Sequence, residues 1–336
     1  MAKSIKPRIA VLLPCYNEEA AIAATVAGFK AALPGAAIYV YDNNSRDRTV
    51  DVARQSGAIV RTEKQQGKGH VVRRMFADIE ADIYVMADGD LTYDPKSAPA
   101  MVDLLLAEEL DMVVGTRRHE AKDAYRGGHV LGNRLFTGLL SGLFGRSFSD
   151  IFSGYRIFSR RFVKSFPVLS SGFEIETEMS VHALELRMPV GEVETAYGAR
   201  PEGSESKLST FRDGWRILKT IATLYRIERP VLFFGAIGAL LLVAAIVLSI
   251  PLVLTYLDTG LVPRFPTAIL ATGLVIIAVL CFFAGLILDT VTRGRREMRR
   301  LAYLSLPAPG DAAAELEPSA VRPDVGGTKR RRASSH

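Results

Sequence analysis

The chain has 336 residues, 42 Lys and Arg against 36 Asp and Glu, and a hydrophobic share of 49%. This length suffices for one full α/β domain and a smaller addition. With 23% charged residues, so large an apolar share is unusual for a wholly water-soluble chain and must be concentrated somewhere. The only two cysteines, Cys15 and Cys281, lie far apart, which argues against a disulfide and fits a reducing compartment.

The first part of the chain alternates short apolar strands with helices. We expect strands at 9–13, 37–41, 58–61, 82–86 and 112–114. We expect helices at 18–32, 47–55, 67–79 and 97–109. This order predicts βαβ units and a mostly parallel sheet, and unbroken apolar runs fit strands covered on both faces. The N-terminus is short, basic and polar and leads directly into the first strand, so no signal peptide is expected.

Polar and acidic residues follow the predicted strands where each one ends. They are found at 14–18, 42–45, 63 and 88–90. Ligands of open α/β sheets bind beyond the carboxyl ends of the strands, so these residues predict a nucleotide site.

Two carboxylates, Asp88 and Asp90, flank Gly89 directly after the fourth predicted strand. Gly89 allows a sharp turn, and paired carboxylates with diphosphate oxygens are typical ligands of Mg²⁺ or Mn²⁺. An acidic turn without a metal is the alternative. The position after a strand of an α/β sheet favours the metal site.

Two long uncharged runs, 231–257 and 267–288, are each long enough to cross a bilayer. The alternative is a pair of buried core helices. The preceding segment, 208–227, has an aromatic and apolar face opposite a basic one, which indicates an interfacial helix or, alternatively, a helix packed on the domain.

The segment after the second run is basic, with ten Lys and Arg against five Asp and Glu between 291 and 336. Positive charge stays on the cytoplasmic side, so both termini and the catalytic part are expected there, at the inner membrane. The basic cluster is expected to meet anionic lipid rather than nucleic acid. Residues 307–325 have a composition typical of disorder. The predicted units are 1–207, 208–229, 230–290 and 291–336.

Seven short motifs occur in an order that resembles family 2 glycosyltransferases of the GT-A fold. They are L-P-C-Y-N-E at 13–18, Y-D-N-N-S-R-D-R-T at 41–49, G-K-G at 67–69, D-G-D at 88–90, V-G-T-R at 114–117, S-G-Y-R at 153–156 and R-P-E-G-S-E-S-K at 200–207. Within that family, the chain is most similar to the dolichol-phosphate mannose synthase group and bacterial polyprenyl-phosphate glycosyltransferases. The resemblance covers about residues 8–229 and extends to the paired C-terminal runs.

The resemblance implies a Rossmann-like GT-A domain and a set of site residues. It assigns the nucleotide-sugar to Pro14, Tyr16, Glu18, Asp42, Lys68, Asp88, Gly89, Arg200 and Lys207, and Mg²⁺ or Mn²⁺ to Asp88 and Asp90. Catalysis is expected to depend on Asp90, Arg117 and Arg200. Arg200, Ser206 and Lys207 belong to a Gly- and Ser-rich loop that could close over a diphosphate. The alternatives are a turn residue for Asp42, a solvated side chain for Lys68 and a charged surface loop for 200–207.

Two departures from the family pattern concern the donor site. Asn43 and Asn44 stand where many members have Asp-Gly, and Thr92 stands where some relatives offer an amide ligand to the metal. We therefore expect the contacts to the donor base to differ in detail and leave the third protein ligand of the metal open.

The acceptor makes demands on the site that differ from those of the donor. A hydroxyl acceptor needs a general base, whereas a phosphate monoester is already ionised and needs cations. Arginine suits phosphate because its fork is bidentate, and the resemblance assigns a lipid phosphate to Arg117 and Arg134. An ordinary surface arginine is the alternative for Arg134, and Arg156 is interpreted as a structural brace. Glu174, Glu176 and Glu178 are interpreted as structural or sugar-orienting rather than as a base.

The sequence thus predicts an inverting, metal-dependent transfer of a hexose or hexuronic acid from a nucleotide-sugar, UDP-linked by expectation, to a polyprenyl phosphate. The product would be a lipid-linked sugar donor for envelope glycan or lipopolysaccharide modification. For a uronic acid, His70, Arg73 or Arg74 is a candidate extra cation. Transfer to a hydroxyl-bearing lipid and a non-catalytic nucleotide-binding scaffold are the alternatives. Homo-oligomerisation through the membrane helices stays open. A processive polysaccharide synthase is disfavoured because Trp215 lacks the glutamine of the Q-x-x-R-W motif.

Overall fold

The computed structural model describes residues 6–119, 148–172, 174–198 and 226–309, together with the isolated positions 138, 142 and 223. The strands are β1 (Ile9–Cys15), β2 (Ala37–Asp42), β3 (Ile59–Thr62), β4 (Ile83–Met86), β5 (Met112–His119), β6 (Arg156–Ser159) and β7 (Val190–Tyr197). The helices are α1 (Ile22–Ala32), α2 (Thr49–Gln55), α3 (Lys68–Asp78), α4 (Ala98–Ala107), α5 (Arg160–Ser165), α6 (Ile175–Glu185), α7 (Pro230–Thr259) and α8 (Phe265–Leu304). A 3-10 turn, Pro95–Ser97, precedes α4.

The strands form one sheet in the order β3-β2-β1-β4-β6-β5-β7. The pairs β1–β2, β1–β4, β2–β3 and β5–β7 are parallel, whereas β6 is antiparallel to both of its neighbours. The prediction of a mostly parallel α/β sheet is therefore confirmed. Strands β6 and β7 were not predicted; in β7 two glutamates, Glu192 and Glu194, interrupt the apolar pattern.

Helix α1 begins at Ile22, four residues later than the predicted start at Glu18. The Glu18 carbonyl accepts from the backbone N–H groups of Ala21 and Ile22, so residues 18–21 form a turn before the helix. This turn leaves the polar residues after β1 at the edge of the sheet.

Apolar side chains pack on both faces of the sheet, as the unbroken apolar strands predicted. One layer places α3, α5 and α6 against Leu12, Tyr84 and Phe158. The other places α1 and α4 against Val11 and Val85. Adjacent residues of β1 and of β4 thus enter opposite layers, which is the period-two alternation of a strand.

Helices α7 and α8 are each long and apolar enough to cross a membrane. Only 11% of the most apolar stretch of α7 and 17% of that of α8 is buried, and Leu240 and Leu280 are 71% and 61% exposed. The interpretation as core helices of a soluble domain is therefore wrong. Exposed apolar surface of this extent is typical of membrane helices.

Small residues line the contact between α7 and α8. A Cβ on Gly238 would lie 3.0 Å from the Ala278 carbonyl oxygen, and one on Gly285 would lie 3.2 Å from the Val231 Cα. Ala271, Ala278 and Gly285 are buried and spaced by seven residues along α8. A small-residue seam of this kind lets two membrane helices approach closely without a hydrophobic driving force.

Helix α8 continues past the predicted end of the second apolar run at 288, as far as Leu304. The predicted boundary at 290 therefore lies inside a helix, and the first part of the expected basic tail is helical. We refer to residues 289–304 as the α8 extension. Two of its arginines, Arg296 and Arg299, pair with the carboxylate of Glu185 on α6.

Candidate active site

The ends of β1 and β4 lie against each other at the carboxyl edge of the sheet. A Cβ on Gly89 would collide with the Cys15 sulfur, so the turn after β4 needs a glycine for close approach. Burial raises the pKa of the Cys15 thiol, and the charges of Glu18, Asp42, Asp88 and Asp90 raise it further. The charges of four predicted site carboxylates therefore act on one buried sulfur, and the electrostatic potential at this edge of the sheet is negative.

Asp90 is almost fully buried, and Thr92 orients its carboxylate. One Asp90 oxygen accepts from the Thr92 hydroxyl at 2.6 Å and from the Thr92 backbone N–H at 3.2 Å. Thr92 thus fixes one oxygen of the Asp90 carboxylate with two hydrogen bonds. The sequence leaves the third protein ligand of the metal open, and the contact observed for Thr92 is with Asp90.

Asp88 lies in an ion pair with Lys68 at the start of α3. The Lys68 ammonium donates to Asp88 at 2.5 Å and to Glu176 at 2.6 Å, and its side chain is only 8% exposed. Burial alone would lower the pKa of Lys68, but the two carboxylates outweigh it and raise the pKa above its usual value. The interpretation of Lys68 as a solvated lysine is wrong, and Glu176 joins the site.

The two glycines flanking Lys68 allow a loop to pack against the start of α3. A Cβ on Gly67 or Gly69 would collide with the carbonyl oxygen of Ser171 or Ser170, respectively. The carboxylate of Glu178 holds this loop by accepting from the backbone N–H groups of Leu169 and Ser170, both at 2.8 Å. The G-K-G motif is thus required by backbone packing as well as by the lysine.

Asp42 and Asn43 organise the loops that follow β2 and β3. The Asp42 carboxylate accepts from the Ser45 backbone N–H at 3.2 Å, as a turn residue does, and it also faces the acidic edge. The Asn43 amide donates to the carbonyls of Glu63 and Gln65 and accepts from the Gly67 N–H at 2.7 Å. Asn43 therefore braces the segment that delivers Lys68.

The loop after β1 is tied to the loop after β2. Asn17 donates its backbone N–H to Ser45 Oγ at 2.9 Å, and Glu18 donates its own to Thr49 Oγ1 at 2.8 Å. Pro14 lies in β1, paired with Tyr41, and Tyr16, which is half-buried, directly precedes the two anchored residues. The predicted donor loop is thus held at one end of the sheet.

Arg117, at the end of β5, makes a bidentate ion pair with Asp150. Its guanidinium donates to the two carboxylate oxygens at 2.7 and 2.8 Å and lies 5.5 Å from the Tyr197 ring centroid. Burial would lower the pKa of Arg117, but the hydrogen bond to Asp150 outweighs it and raises the pKa. The pair keeps a permanent cation at the carboxyl end of β5, and we refer to the site between Asp88, Gly154 and Arg117 as the cleft. Asp150 was not predicted as a site residue, although it lies only three residues before the S-G-Y-R motif.

Arg156 is fully buried and braces the loop before β6, as the sequence analysis predicted. It donates to the carbonyls of Ser153 and Ile151 and to the Ser180 hydroxyl. Burial lowers the pKa of Arg156 to about 10. Gly154, within this loop, would bring a Cβ to 2.9 Å from an Asp88 oxygen, so the loop forms one wall of the acidic edge.

Several predicted site residues lie outside the described residues. These are Arg134, Arg200, Ser206 and Lys207, together with most of the predicted interfacial helix at 208–227. The predicted disordered segment, 307–325, is described only up to 309.

The donor set at Asp88 and Asp90 fits a hard divalent cation. Within the described ranges, no third His, Cys, Asp or Glu joins them in a group that could hold a metal. Mg²⁺ and Mn²⁺ are commonly held by one or two carboxylates, with substrate phosphates and waters completing the coordination. Two carboxylates from one turn are therefore sufficient for a metal that arrives with a diphosphate.

The sheet topology and the acidic turn after β4 define the class of GT-A-like glycosyltransferases. The model of the Glycosyl transferase family 2 domain matches residues 10–166. Glycosyltransferase AglJ of Haloferax volcanii is 34% identical over 232 residues, which are 68% of this chain and 76% of that protein. The chain belongs to glycosyl transferase family 2, and the expectation of a glycosyltransferase with two candidate membrane helices is confirmed.

Two further comparisons describe proteins with named ligands. Dolichyl-phosphate hexose transferase of Haloferax volcanii is 28% identical over 221 residues, covering 66% of this chain and 95% of that protein. The solved complex of glucosyl-3-phosphoglycerate synthase from Mycobacterium tuberculosis with Mn²⁺, UDP and glucosyl-3-phosphoglycerate has a TM-score of 0.54 and 25% identity, covering 65% of this chain and 79% of that one.

Proposed function

We propose that the protein transfers a sugar from a UDP-sugar to a polyprenyl phosphate at the cytoplasmic face of the membrane. The observation that carries the proposal is the combination, in one chain, of an acidic turn after β4 with two exposed apolar helices. Relatives support both substrates. One solved structure of similar fold contains UDP and Mn²⁺, and one relative bears dolichyl phosphate in its name.

For the donor, we propose that Asp88 and Asp90 hold Mg²⁺ or Mn²⁺, which when bound would neutralise charge on the leaving diphosphate. Lys68 adds a cation next to Asp88, in reach of the same phosphates, and α3 begins at Lys68 with its positive dipole end at the site. Pro14, Tyr16, Glu18, Asp42 and Gly89 surround the nucleotide in this proposal. Arg200 and Lys207 would close over it.

For the acceptor, we propose that Arg117, with Arg134, holds the lipid phosphate. An oxygen of that phosphate attacks the anomeric carbon, the bond from that carbon to the diphosphate breaks, and the nucleoside diphosphate leaves with its electron pair. A single displacement inverts the anomeric configuration. The acceptor oxygen is already ionised, so no general base is required.

The engagement of Glu176 and Glu178 supports this acceptor over a hydroxyl-bearing lipid. Glu176 is paired with Lys68, and Glu178 accepts two backbone N–H groups. Neither carboxylate is arranged as a base beside an incoming hydroxyl. The sugar is left as a hexose or a hexuronic acid, and for the latter His70, Arg73 and Arg74 on α3 are the candidate partners of the extra carboxylate.

The test is a panel of nucleotide-sugars offered to purified protein with undecaprenyl phosphate, with the lipid product identified by mass spectrometry. We expect one UDP-sugar to give a glycosyl phospholipid, and undecaprenol to give none. Transfer to the free alcohol at a comparable rate would contradict the proposal. Omitting Mg²⁺ and Mn²⁺, with EDTA present, should abolish transfer, and adding back each ion will identify the preferred one.

A pair of neighbouring arginines provides a matched control for the acceptor site. Arg117→Gln should raise the KM for the lipid phosphate, whereas Arg118→Gln, which removes an exposed arginine with only a 3.8 Å surface pairing to Glu194, should not. Equal effects of the two substitutions would remove Arg117 from the acceptor site.

A further inference from the structure

The α8 extension is fastened to the catalytic domain by a buried cluster of charges. Glu185, at the end of α6, accepts from Arg296 at 3.0 Å and from Arg299 at 2.6 Å. Arg296 also donates to Glu228, just before α7, at 2.5 Å. The side chains of Glu185 and Glu228 are only 3% and 5% exposed. Buried, mutually satisfied ion pairs of this kind fix one geometry more than they add stability.

A second contact lies one to two turns further along the α8 extension. The Tyr303 hydroxyl donates to Asp111 at 2.8 Å, and Asp111 is fully buried at the start of β5. The other Asp111 oxygen accepts from Arg161 at 2.5 Å, and the Arg161 guanidinium lies 4.8 Å from the centroid of the Tyr303 ring. With two separate attachment points, the extension cannot pivot about either one.

Helix α6 connects this attachment to the cleft. Glu185 lies at its last turn and Glu176 at its first, where Glu176 pairs with Lys68 beside Asp88. Nine residues of α-helix separate the two glutamates by about 14 Å. The same rigid helix therefore contacts the membrane-crossing helix at one end and the acidic edge at the other.

We propose that the α8 extension sets the height and tilt of the cleft above the bilayer, with Glu185 as the positioning residue, so that a phosphate carried by a membrane lipid meets the donor. The inference rests on the proposed function, because it presumes an acceptor delivered by the bilayer. A water-soluble acceptor reaches the cleft at any orientation, whereas a lipid phosphate is confined to one plane.

The test compares two acceptors on protein in lipid nanodiscs. With Glu185→Gln, we expect the KM for undecaprenyl phosphate in the disc to rise by about tenfold or more, because small misplacement of a substrate is costly. The KM for the donor and the kcat/KM for a short, water-soluble prenyl phosphate should stay at wild-type values. Glu185→Asp should restore part of the loss. Equal losses with both acceptors, or no loss with either, would overturn the proposal.

Two controls separate positioning from folding. Asp51→Asn removes an exposed carboxylate of the same domain that pairs only at 3.9 Å with Arg54 within α2, a helix that packs on α1, β2 and β3, and it should leave both acceptors unaffected. Tyr303→Phe deletes only the hydroxyl that binds Asp111 and should reproduce the selective effect in milder form. If Glu185→Gln fails to fold, Tyr303→Phe provides the test: the KM for undecaprenyl phosphate should rise while the kcat/KM for the water-soluble prenyl phosphate stays at the wild-type value.

A distance measurement tests the anchoring without any acceptor. Spin labels at Glu108→Cys, on the catalytic domain, and Leu261→Cys, between α7 and α8, report the position of the domain relative to the membrane loop in a Cys281→Ser background. We expect a narrow distance distribution that Glu185→Gln broadens. An unchanged distribution would overturn the anchoring. If the wild-type protein does not transfer sugar to undecaprenyl phosphate, the proposed function is contradicted instead. The measured distances would still show whether Glu185 anchors the α8 extension.

Discussion

Lys68 donates to Glu176 at 2.6 Å across 108 residues of sequence, and both side chains are buried. The contact joins the start of α3 to the start of α6, and Asp88 completes it from the end of β4. The acidic edge of the sheet is therefore assembled by one shared cation. This arrangement explains why a lysine stands between two glycines and why an acidic residue opens α6.

Removing that cation should destabilise the fold. Lys68→Met leaves Asp88 and Glu176 without their shared partner, and breaking a buried ion pair from one side typically costs about 3–5 kcal/mol. The double variant Lys68→Met with Glu176→Gln should recover part of this loss, because one of the two carboxylates is then neutral. Thermal unfolding in detergent measures the effect. Additive losses in the double variant would show that the two residues do not interact.

Asp90→Asn should abolish transfer while leaving the protein folded and in the membrane. The amide keeps the shape of the carboxylate and an oxygen for Thr92 but loses the negative charge that a divalent cation requires. We expect kcat to fall by about 100-fold or more, the scale on which loss of a preorganised charge at a reacting group acts.

The matched control for Asp90 is Asp94→Asn, which makes the same chemical change four residues later. Asp94 caps the 3-10 turn by accepting from the Lys96 backbone N–H. It should therefore retain nearly full activity, with at most a small loss of stability. Activity of Asp90→Asn within a few-fold of wild type would contradict the metal assignment.

Gly69→Ala should destabilise the protein through a steric collision with a loop. The added Cβ would strike the Ser170 carbonyl, which is backbone and cannot rotate away, and overpacking of this kind costs about 1–3 kcal/mol. Gly294→Ala is the control, because Gly294 is also helical but has nothing within 4 Å of the added atom. There the substitution should raise stability by up to about 1 kcal/mol, since alanine favours helix. If Gly69→Ala and Gly294→Ala shift the melting temperature in the same direction, the predicted collision at Gly69 is refuted.

Buried His182 should make stability fall in acid. Burial, with a smaller effect of Arg299, lowers the pKa of His182 to about 3, against 6.5 for the free side chain. The folded protein keeps the ring neutral, whereas the unfolded chain binds a proton below pH 6.5. The stabilisation is thus complete above pH 6.5 and is lost as pH falls towards 3, by up to about 1.4 kcal/mol per pH unit.

Comparing melting temperatures between pH 4.5 and 7.5 checks the role of His182. His182→Gln should flatten the profile on the acid side, since it removes the proton-binding difference between the folded and unfolded states. If the melting temperature of His182→Gln still falls steeply at acid pH, the loss of stability is caused by other groups.

The sequence could predict the acidic turn and the parallel half of the sheet because both depend on neighbouring residues. Asp88 and Asp90 follow an apolar strand directly, and β1, β2 and β4 are continuous apolar runs. The partners of these residues could not be predicted in the same way. Asp150 meets Arg117, and Glu176 meets Lys68, only because β6 enters the sheet antiparallel between β4 and β5.

The end of α8 illustrates the same limit. Apolar composition located the part of the helix that is long enough to cross a membrane, but composition does not distinguish an exposed arginine from one that pairs with a buried carboxylate. Arg293 is 74% exposed and pairs within its own helix with Asp289, whereas Arg299 reaches Glu185 on α6. Only the packing of the α8 extension on the domain separates the two.

The attachment of Tyr303 to Asp111 has a practical consequence for producing the protein. A water-soluble fragment cut before α7 would lose this hydroxyl and both arginines, leaving the carboxylates of Asp111 and Glu185 in the interior with fewer partners. Such a fragment should express poorly and aggregate. Crystallisation and enzymology are therefore better served by the full chain in detergent or nanodiscs than by a trimmed catalytic domain.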